Sequence, residues 1–261
     1  MDIITSKDNP TIKLYQKLSS SKKERVRNKM FVLEGFRIIK DAIKEKSHIT
    51  SLIFTQQAFE KYKSEFSQAD LNNARIIVIS NELGNKISQT EQTQGIFAIC
   101  LIPKNKYFSL ETNGKYVVLV NLQDPGNLGM IIRTADALGI DGLILSGCCD
   151  LYSPKTIRST MGSIFRVKIW EEPDENIIFS ELSLHKIKTF AGVIDSDALN
   201  INTVDFTGGC AVFIGNEGNG LPFEVTGRCD KKIIIPMKGN INSLNAGMAS
   251  GILMWELKRN D

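Results

Sequence analysis

The sequence predicts an α/β fold with a small amino-terminal α/β domain followed by a larger domain built on a parallel sheet. Its 261 residues exceed the usual length of one domain. Short apolar runs rich in β-branched residues alternate with amphipathic stretches, which is the pattern of strands joined by helices. A hydrophobic fraction of 42% with 23% charged residues is typical of a globular protein and excludes wholesale disorder.

The first distinctive segment, residues 11–29, is strongly basic, with seven lysines and arginines against the single acid Glu24. Its apolar residues recur at helical spacing, so we expect one or two amphipathic helices with a basic outer face. Such a face suits phosphate, although an ordinary solvated surface explains it equally well. The basic residues are Lys13, Lys17, Lys22, Lys23, Arg25, Arg27 and Lys29.

Residues 30–102 continue with short strands separated by helices. The predicted strands are residues 31–35, 51–54, 74–80 and 95–100, and the predicted helices are residues 36–44, 57–66 and 81–86. Residues 103–114 then lose periodicity and gather turn-forming residues, which favours a linker. We therefore expect one domain at residues 1–102 and a second at residues 115–261.

The second series of strands is more apolar than the first. The predicted strands are residues 116–120, 142–145, 165–169, 210–214 and 232–236. Nearly continuous hydrophobicity of this kind is typical of strands buried on both faces of a parallel sheet. Ligands of such sheets bind beyond the carboxyl ends of the strands, and three strand ends here carry unusual sequence.

The first unusual strand end leads into a helix. Asn127 is a good N-cap and Gly139 can end the helix, so we expect a helix over residues 128–138. Its apolar stripe leaves Arg133 nearly on the opposite face. Arg133 is therefore either an ordinary surface arginine or, if a second apolar face is covered, a fixed anion-binding group.

The second and third strand ends are rich in glycine and asparagine. Residues 215–222 match neither common nucleotide-binding glycine motif, but their backbone can approach a ligand closely, and Glu217 is their only charge. At the third end, Ser243 is a credible N-cap for a helix whose first turns hold five small residues. Those glycines carry a propensity cost that close packing or a ligand would offset.

Together the three strand ends resemble the SpoU-type branch of the SPOUT methyltransferases. The motifs are N-x-x-D-P-x-N-x-G-x-x-x-R-T-A from Asn121, I-G-N-E-G-x-G-L from Ile214 and I-P-M-x-G-x-x-x-S-L-N from Ile235, in the family's order. The resemblance covers about residues 115–258. The amino-terminal region is similar, more loosely, to the ribosomal-protein-like substrate-binding domain of rRNA-modifying members.

The resemblance implies transfer of a methyl group from S-adenosylmethionine to a ribose 2′-oxygen of RNA, most simply rRNA. It also implies a carboxyl-terminal trefoil knot and a homodimer that packs knot against knot. The implied cofactor-binding residues are Gly215, Ile235, Met237 and Leu244. The implied catalytic residues are Asn127, Arg133, Glu217, Ser243 and Asn245. One departure is that Ala246-Gly247-Met248 replaces the family's usual V-S-x.

Two alternatives stay open from the sequence: a tRNA substrate, and a non-catalytic RNA-binding or assembly protein that keeps the knot. A nicotinamide-dependent dehydrogenase is disfavoured because the glycine fingerprint is missing. No run approaches the roughly 18 apolar residues of a membrane span, and no secretory signal is visible. Five cysteines and two histidines show no metal-ligand spacing, so we expect a cytoplasmic protein without a metal.

Overall fold

The computed structural model describes residues 3–67, 74–104, 107–239 and 243–259. The chain forms two compact units. The first contains Met1–Lys104 together with Tyr152–Phe165, and the second contains Asn105–Leu151 together with Arg166–Asp261. The predicted division at residues 103–114 stays a prediction, and it did not include the grouping of Tyr152–Phe165 with the first unit.

Both units combine helices with strands, which confirms the α/β prediction. The described helices are α1 (Pro10–Ser20), α2 (Lys22–Asn28), α3 (Phe36–Lys44), α4 (Gln56–Tyr62), α5 (Asn81–Ile87), α6 (Pro125–Leu138), α7 (Pro154–Thr160), α8 (Glu175–Leu184), α9 (Phe223–Arg228) and α10 (Ala246–Lys258). In this described part of the chain, no helix is long and apolar enough to cross a bilayer.

The first unit is built on a five-stranded mixed sheet in the order β1-β4-β3-β5-β2. Strands β1, β4 and β3 are parallel, whereas β5 runs antiparallel to its neighbours β3 and β2. The strands are β1 (Ile3–Ile4), β2 (Met30–Glu34), β3 (Ile49–Thr55), β4 (Arg75–Ile79) and β5 (Ile96–Leu101).

Apolar side chains cover both faces of this sheet. On one face, Tyr15 of α1 packs edge-on against Phe97. On the other face, Ile39 of α3 and Ile157 of α7 lie in one cluster with Phe31. Helix α7 thus contributes to the core of the first unit although it follows β7 of the second unit in the chain.

The basic segment forms two helices, α1 and α2, but one of its arginines is not on the surface. Arg25 is buried, and its guanidinium donates to the carbonyl of Leu18 near the end of α1, where backbone carbonyls have no helical partner. Val26 is 64% exposed instead. The expected outward position of Arg25 is therefore corrected, because its long side chain satisfies a helix end rather than solvent.

The second unit contains a seven-stranded parallel sheet in the order β10-β12-β9-β11-β6-β7-β8. Its strands are β6 (Lys115–Val120), β7 (Gly142–Ser146), β8 (Ile169–Glu171), β9 (Lys188–Gly192), β10 (Leu199–Asn200), β11 (Cys210–Ile214) and β12 (Lys231–Ile234). The predicted strand at residues 165–169 is wrong: a short 3₁₀ helix spans Ser163–Phe165 and the strand starts at Ile169. Ile164 and Phe165 pack instead on the core of the first unit.

Candidate active site

The candidate site lies at the carboxyl ends of the parallel strands of the second unit. Because β6 and β11 are neighbours in register, the loops that follow them emerge side by side. The loops after β9 and β12 emerge at the same edge, since β9 pairs with both β11 and β12. The three unusual strand ends of the sequence, after β6, β11 and β12, therefore meet.

The loop after β6 enters α6 earlier than the sequence predicts. Asp124 caps the helix, its Oδ1 accepting the backbone N–H of Asn127 at 2.8 Å, and Pro125 occupies the first turn. The predicted cap at Asn127 is thus wrong, and its side chain is free to make other contacts. Gly139 ends the helix with φ 65°, as expected.

The carboxylate of Glu217, on the loop after β11, accepts hydrogen bonds from the loop after β6 and from the start of α6. Its Oε1 accepts the backbone N–H of Asp124 at 3.0 Å and the side-chain Nδ2 of Asn127 at 3.1 Å. Its Oε2 accepts the backbone N–H of Gln123 at 3.1 Å. Burial raises the pKa of Glu217, but these hydrogen bonds outweigh it and hold the pKa below its usual value. Glu217 is therefore a charged anchor rather than a proton donor at neutral pH.

Asn245 extends this network to the third strand end. Its Nδ2 donates to Oδ1 of Asn127 at 3.1 Å. Its own Oδ1 accepts the backbone N–H groups of Gly247 at 2.9 Å and Met248 at 3.3 Å, so Asn245 caps α10. The predicted cap at Ser243 is corrected accordingly. One chain of hydrogen bonds now joins Glu217, Asn127 and Asn245, which the sequence separates by 90 and 118 positions.

Two amides that were not predicted from the sequence tie the loops together. The Nδ2 of Asn216 donates to the carbonyl of Asn121 at 2.9 Å, and Nε2 of Gln123 donates to the same carbonyl and to that of Gly147, each at 3.1 Å. Asn121 adopts a left-handed conformation with φ 57°, which asparagine tolerates better than most residues. Asn216 and Gln123 both lie within the recognised motifs, and that position is the sequence signal that could have identified them.

Close approach requires glycine at Gly215, where the neighbour is backbone, and favours a small residue at Gly247, where the neighbour is the movable end of a side chain. A Cβ atom on Gly215 would stand 2.1 Å from the backbone carbon of Gly220, so the loop after β11 closes on itself only with glycine there. A Cβ on Gly247 would stand 2.1 Å from Cε of Met130. The small residues at the start of α10 thus let that helix pack closely on α6.

A cavity of about 640 Å³ opens beside the network, and Glu217 belongs to both. All four residues expected to hold the cofactor line it: Gly215, Ile235, Met237 and Leu244. Ser243 also lies on its wall. The volume falls within the range of about 300–1,000 Å³ common for ligand sites.

The rim of this cavity includes residues that were not predicted from the sequence. Asp195, after β9, accepts a hydrogen bond from Nζ of Lys232 at 2.9 Å. The apolar side chains of Ile194 and Phe223 stand at the rim and are largely exposed. The cavity thus combines an apolar wall with one ion pair.

Arg133 stays outside the hydrogen-bond network. It is exposed on α6, and among the described residues it has no hydrogen-bond or ion-pair partner. The second apolar face that would have covered it is also open, since Ala137 is exposed and Met130 is half-buried. Within one copy of the chain, Arg133 is therefore an accessible cation on the helix that starts at the site.

Six of the seven predicted RNA-binding residues are exposed on α1 and α2 or at their ends: Lys13, Lys17, Lys22, Lys23, Arg27 and Lys29. Lys13 pairs with Asp8 at 2.9 Å, and Arg27 pairs with Glu24 at 3.0 Å. Both pairs are at the surface, where such interactions are weak and exchange readily with other anions.

The cysteines near the site are poor nucleophiles and metal ligands. Burial raises the pKa of Cys148 to about 12 and that of Cys149 to about 11, so both stay protonated at neutral pH. Within the described ranges, no group of three or more histidine, cysteine, aspartate or glutamate side chains could hold a metal ion.

Comparison with known protein families identifies both parts of the chain. Residues 114–255 match the model of the SpoU rRNA methylase family. Residues 9–98 match the MRM3-like substrate binding domain. The two matches together span both strand series recognised in the sequence.

Similar proteins extend over nearly the whole chain. The 23S rRNA (guanosine(2553)-2′-O)-methyltransferase of Bacillus subtilis is 29% identical over 99% of this chain and 100% of its own length. A 23S rRNA (uridine(2479)-2′-O)-methyltransferase of Streptomyces viridochromogenes is 27% identical over 98% of this chain and 91% of its own.

The solved structure of an AdoMet-bound rRNA methyltransferase from Sinorhizobium meliloti superimposes with a TM-score of 0.88 at 28% identity, covering 99% of this chain and 97% of the other. A second structure, the SpoU methyltransferase AviRb of Streptomyces viridochromogenes in complex with AdoMet, gives a TM-score of 0.83 at 26% identity over 96% of this chain and 97% of the other. The second and third motifs line one cavity, and hydrogen bonds to Glu217 and Asn245 join the first motif to them. Since the methylase model also matches more than half of its length, the chain belongs to the SpoU rRNA methylase family.

Proposed function

We propose that this protein transfers a methyl group from S-adenosylmethionine to a ribose 2′-oxygen of ribosomal RNA. The observation that carries the proposal is the cavity at the carboxyl ends of β9, β11 and β12, which shares Glu217 with the network through Asn127 and Asn245. Ribosomal RNA is favoured over tRNA because the full-length relatives include two enzymes named for 23S rRNA.

The cavity fits the cofactor in size and in chemistry. Its apolar walls suit a purine, and the tight loop at Gly215 exposes backbone groups for hydrogen bonds. We assign Gly215, Ile235, Met237 and Leu244 to cofactor binding. S-adenosylmethionine supplies an electrophilic methyl group, so the protein's own residues mainly have to orient the ribose hydroxyl and help its proton leave.

We assign the orienting role to Arg133. A guanidinium does not lose its proton in the accessible pH range, so Arg133 is better suited to hold a substrate phosphate or hydroxyl than to act as a free base. Its exposed position without a polar partner in the described ranges leaves it available to an anionic substrate. Asn127, Ser243 and Asn245 supply hydrogen bonds, and Glu217 holds the loop that carries them.

A homodimer through α6 and α10 is the assembly that we propose. The outer face of α10 presents Met248, Ile252 and Trp255, which are 58%, 37% and 58% exposed and recur at helical spacing. An apolar stripe of this kind is typical of a helix that packs against a further surface. Because α10 packs beside α6, a second copy seated there would also approach Arg133.

A trefoil knot in the second unit belongs to the same proposal. Strand β11 lies between β6 and β9, although both precede it in the chain. Helix α10 then packs against β6 and β11. A strand that is inserted between two earlier strands, followed by a helix that returns to the centre of the sheet, is consistent with a threaded topology.

The basic face of the first unit is the proposed contact for flanking RNA phosphates. The residues that remain assigned to it are Lys13, Lys17, Lys22, Lys23, Arg27 and Lys29, and the buried Arg25 is withdrawn.

A tRNA substrate and a non-catalytic assembly role are the alternatives. The hydrogen-bond network of Glu217, Asn127 and Asn245 argues against the second. We place the RNA-binding domain at residues 1–102, a linker at residues 103–114, the methyltransferase domain at residues 115–261, and the activity in the cytoplasm, where its proposed substrate is assembled.

The decisive measurement is transfer of radiolabelled methyl groups from S-adenosylmethionine to an rRNA transcript that carries no modification. We expect Arg133→Ala to lower transfer by about a hundredfold or more, as removal of a group that stabilises the reacting complex does. Cofactor affinity should stay within about twofold, and Arg259→Ala, a loss of the same charge at an exposed ion pair, should transfer normally. Full transfer by Arg133→Ala would remove Arg133 from the mechanism. A separate measurement, mapping of ribose methylation in rRNA with and without the protein, identifies the target nucleotide.

A further inference from the structure

Arg158, on helix α7 of the first unit, differs from every other arginine of the chain. Five arginines have partners: Arg25, Arg27, Arg166, Arg228 and Arg259. Three others, Arg37, Arg75 and Arg133, have none in the described ranges but are exposed, so water satisfies them. Arg158 is half-buried, and its Nη1 is fully buried without a hydrogen-bond partner among the described residues. A partly desolvated guanidinium without an anion is costly.

The second unpartnered polar atom lies in the same region. The hydroxyl of Tyr15, a fully buried side chain of α1, also lacks a hydrogen-bond partner in the part of the chain described. Burial raises the pKa of Tyr15, the carboxylate of Glu34 raises it further, and Arg158 opposes them. Helices α1 and α7 both pack against β2, which is the last strand in the described order of this sheet and ends at Glu34.

Glu34 does not serve as the counter-charge of Arg158. Its Oε1 accepts hydroxyl donors from Ser88 at 2.5 Å and Thr90 at 2.9 Å, and its Oε2 accepts the backbone N–H of Gln89 at 2.8 Å. These neutral donors satisfy the carboxylate and hold it on the loop after α5. The positive charge of Arg158 is thus left for an anion from outside the chain.

The helix that carries Arg158 is held in place by its cap and by a buried neighbour. Helix α7 is capped by Ser153, whose Oγ accepts the backbone N–H of Thr156 at 3.1 Å, and Ile157 is anchored in the apolar core. Lys155 lies one turn earlier on the same side of α7 and is exposed. A guanidinium with an ammonium group one helical turn away is an arrangement that suits phosphate oxygens.

We propose that the outward edge of the Arg158 guanidinium binds a backbone phosphate of the substrate RNA, while its buried Nη1 faces the protein interior. The inference rests on the proposed RNA substrate and adds to the first unit a contact separate from the basic face of α1 and α2. A phosphate diester of RNA and free inorganic phosphate offer the same oxygens, so the experiment has to separate these two sources.

The test is the salt dependence of RNA binding by the full-length protein, with an unmodified rRNA transcript as the probe. Each phosphate neutralised by the protein contributes about 0.7 to 0.9 to the slope of log affinity against log salt. We expect Arg158→Gln to lower the slope by about one and the affinity by about tenfold. Ser159→Ala, which loses only a bond to the carbonyl of Lys155 on the same helix, and Arg259→Gln, which loses the same charge elsewhere, should bind as wild type does.

A second measurement uses only the wild-type chain and so does not depend on the folding of a variant. An arginine-selective dicarbonyl reagent followed by mass spectrometry should modify Arg158 more slowly when the transcript is bound, whereas Arg259 should react at an unchanged rate. Equal slopes for wild type and Arg158→Gln, or absence of RNA protection at Arg158, would overturn the inference. Protection by inorganic phosphate but not by RNA would assign the site to free phosphate and equally overturn it.

Methyl transfer by the wild-type protein separates this inference from the proposed function. If wild type methylates the transcript and Arg158→Gln keeps the wild-type salt slope, only the phosphate site is wrong. If wild type neither binds nor methylates the transcript, the proposed function fails and the phosphate site fails with it.

Discussion

Glu217 shows how one carboxylate can set the geometry of a site without taking part in proton transfer. Its three donors come from the loop after β6 and the first turns of α6, so its charge fixes two segments that are remote in sequence. Charge-assisted hydrogen bonds of this kind are shorter and stronger than neutral ones. The lone acid among the glycines of the second motif is therefore explained by the donors that converge on it.

We expect Glu217→Gln to lower the free energy of unfolding at neutral pH by about 0.5 to 1 kcal/mol, because one oxygen acceptor is replaced by a donor that faces donors, at an exposed position where solvent screens the interaction. The pKa of Glu217 lies below its ordinary value, so the stabilisation is complete above the ordinary glutamate pKa of about 4.3 and disappears as the pH falls through the lower folded value. Urea unfolding of both proteins across this range should show the difference shrinking in acid. A difference that stays constant with pH would contradict the assignment.

Gly215 provides a second test at the residue scale. Gly215→Ala would place a Cβ atom 2.1 Å from the backbone of Gly220, which cannot move as a flexible side chain would. We expect a loss of stability of about 1 to 3 kcal/mol and weakened binding of S-adenosylmethionine, measured by thermal unfolding and calorimetry. Gly227→Ala is the matched control, since a Cβ atom there would meet no neighbouring group within 4 Å. Equal cofactor affinity of both variants would show that the loop is adaptable.

At the scale of elements, each of the two helices of the site has two nearby residues that could cap its first turn. Asp124 and Asn127 are both good caps for α6, and Ser243 and Asn245 are both good caps for α10. The cap predicted from the sequence is wrong in each case. The proline after Asp124 could have decided the first, because proline favours the first helical turn. The second depends on the hydrogen bond from Asn245 to Asn127, which no local signal shows.

The exposed stripe of α10 gives a prediction for that element. Trp255→Glu places a charge on the apolar face that Trp255 shares with Met248 and Ile252, and we expect it to convert a dimer into a monomer. Sedimentation velocity measures the change. Ile177→Glu, at an exposed apolar position of α8, is the control and should keep the wild-type oligomeric state. A wild-type protein that is already monomeric, or a dimeric Trp255→Glu variant, would argue against this interface.

At the scale of the whole molecule, the sequence predicts the parallel sheet and the three strand ends that carry the site, because strand composition and motif positions are local properties. That the three ends meet depends on the strand order. The membership of Tyr152–Phe165 in the first unit could not be predicted in this way. Ile164 and Phe165 continue into Arg166-Val-Lys-Ile169, where apolar and charged residues alternate as in a strand. Their packing on the core around Phe31 decides their place instead. The order of β11 between β6 and β9 is likewise a property of the fold alone.

The division of labour between the two units leads to the last prediction. A variant with Lys13, Lys17, Lys22 and Lys23 changed together to Gln removes four exposed charges of the basic face without touching the buried Arg25. We expect RNA affinity to fall at constant salt and the salt dependence to weaken, because fewer counterions are released on binding. The affinity for S-adenosylmethionine should not change, since all the described residues that line the cavity belong to the second unit.

Filter binding of an rRNA transcript at several salt concentrations, with calorimetry of the cofactor, measures both quantities. The charge-matched control changes four exposed lysines of the second unit to Gln: Lys168, Lys186, Lys188 and Lys231. This control should keep most of the RNA affinity, because its charges lie outside the basic face of α1 and α2. Equal losses in both variants would show that net charge rather than this face attracts the RNA.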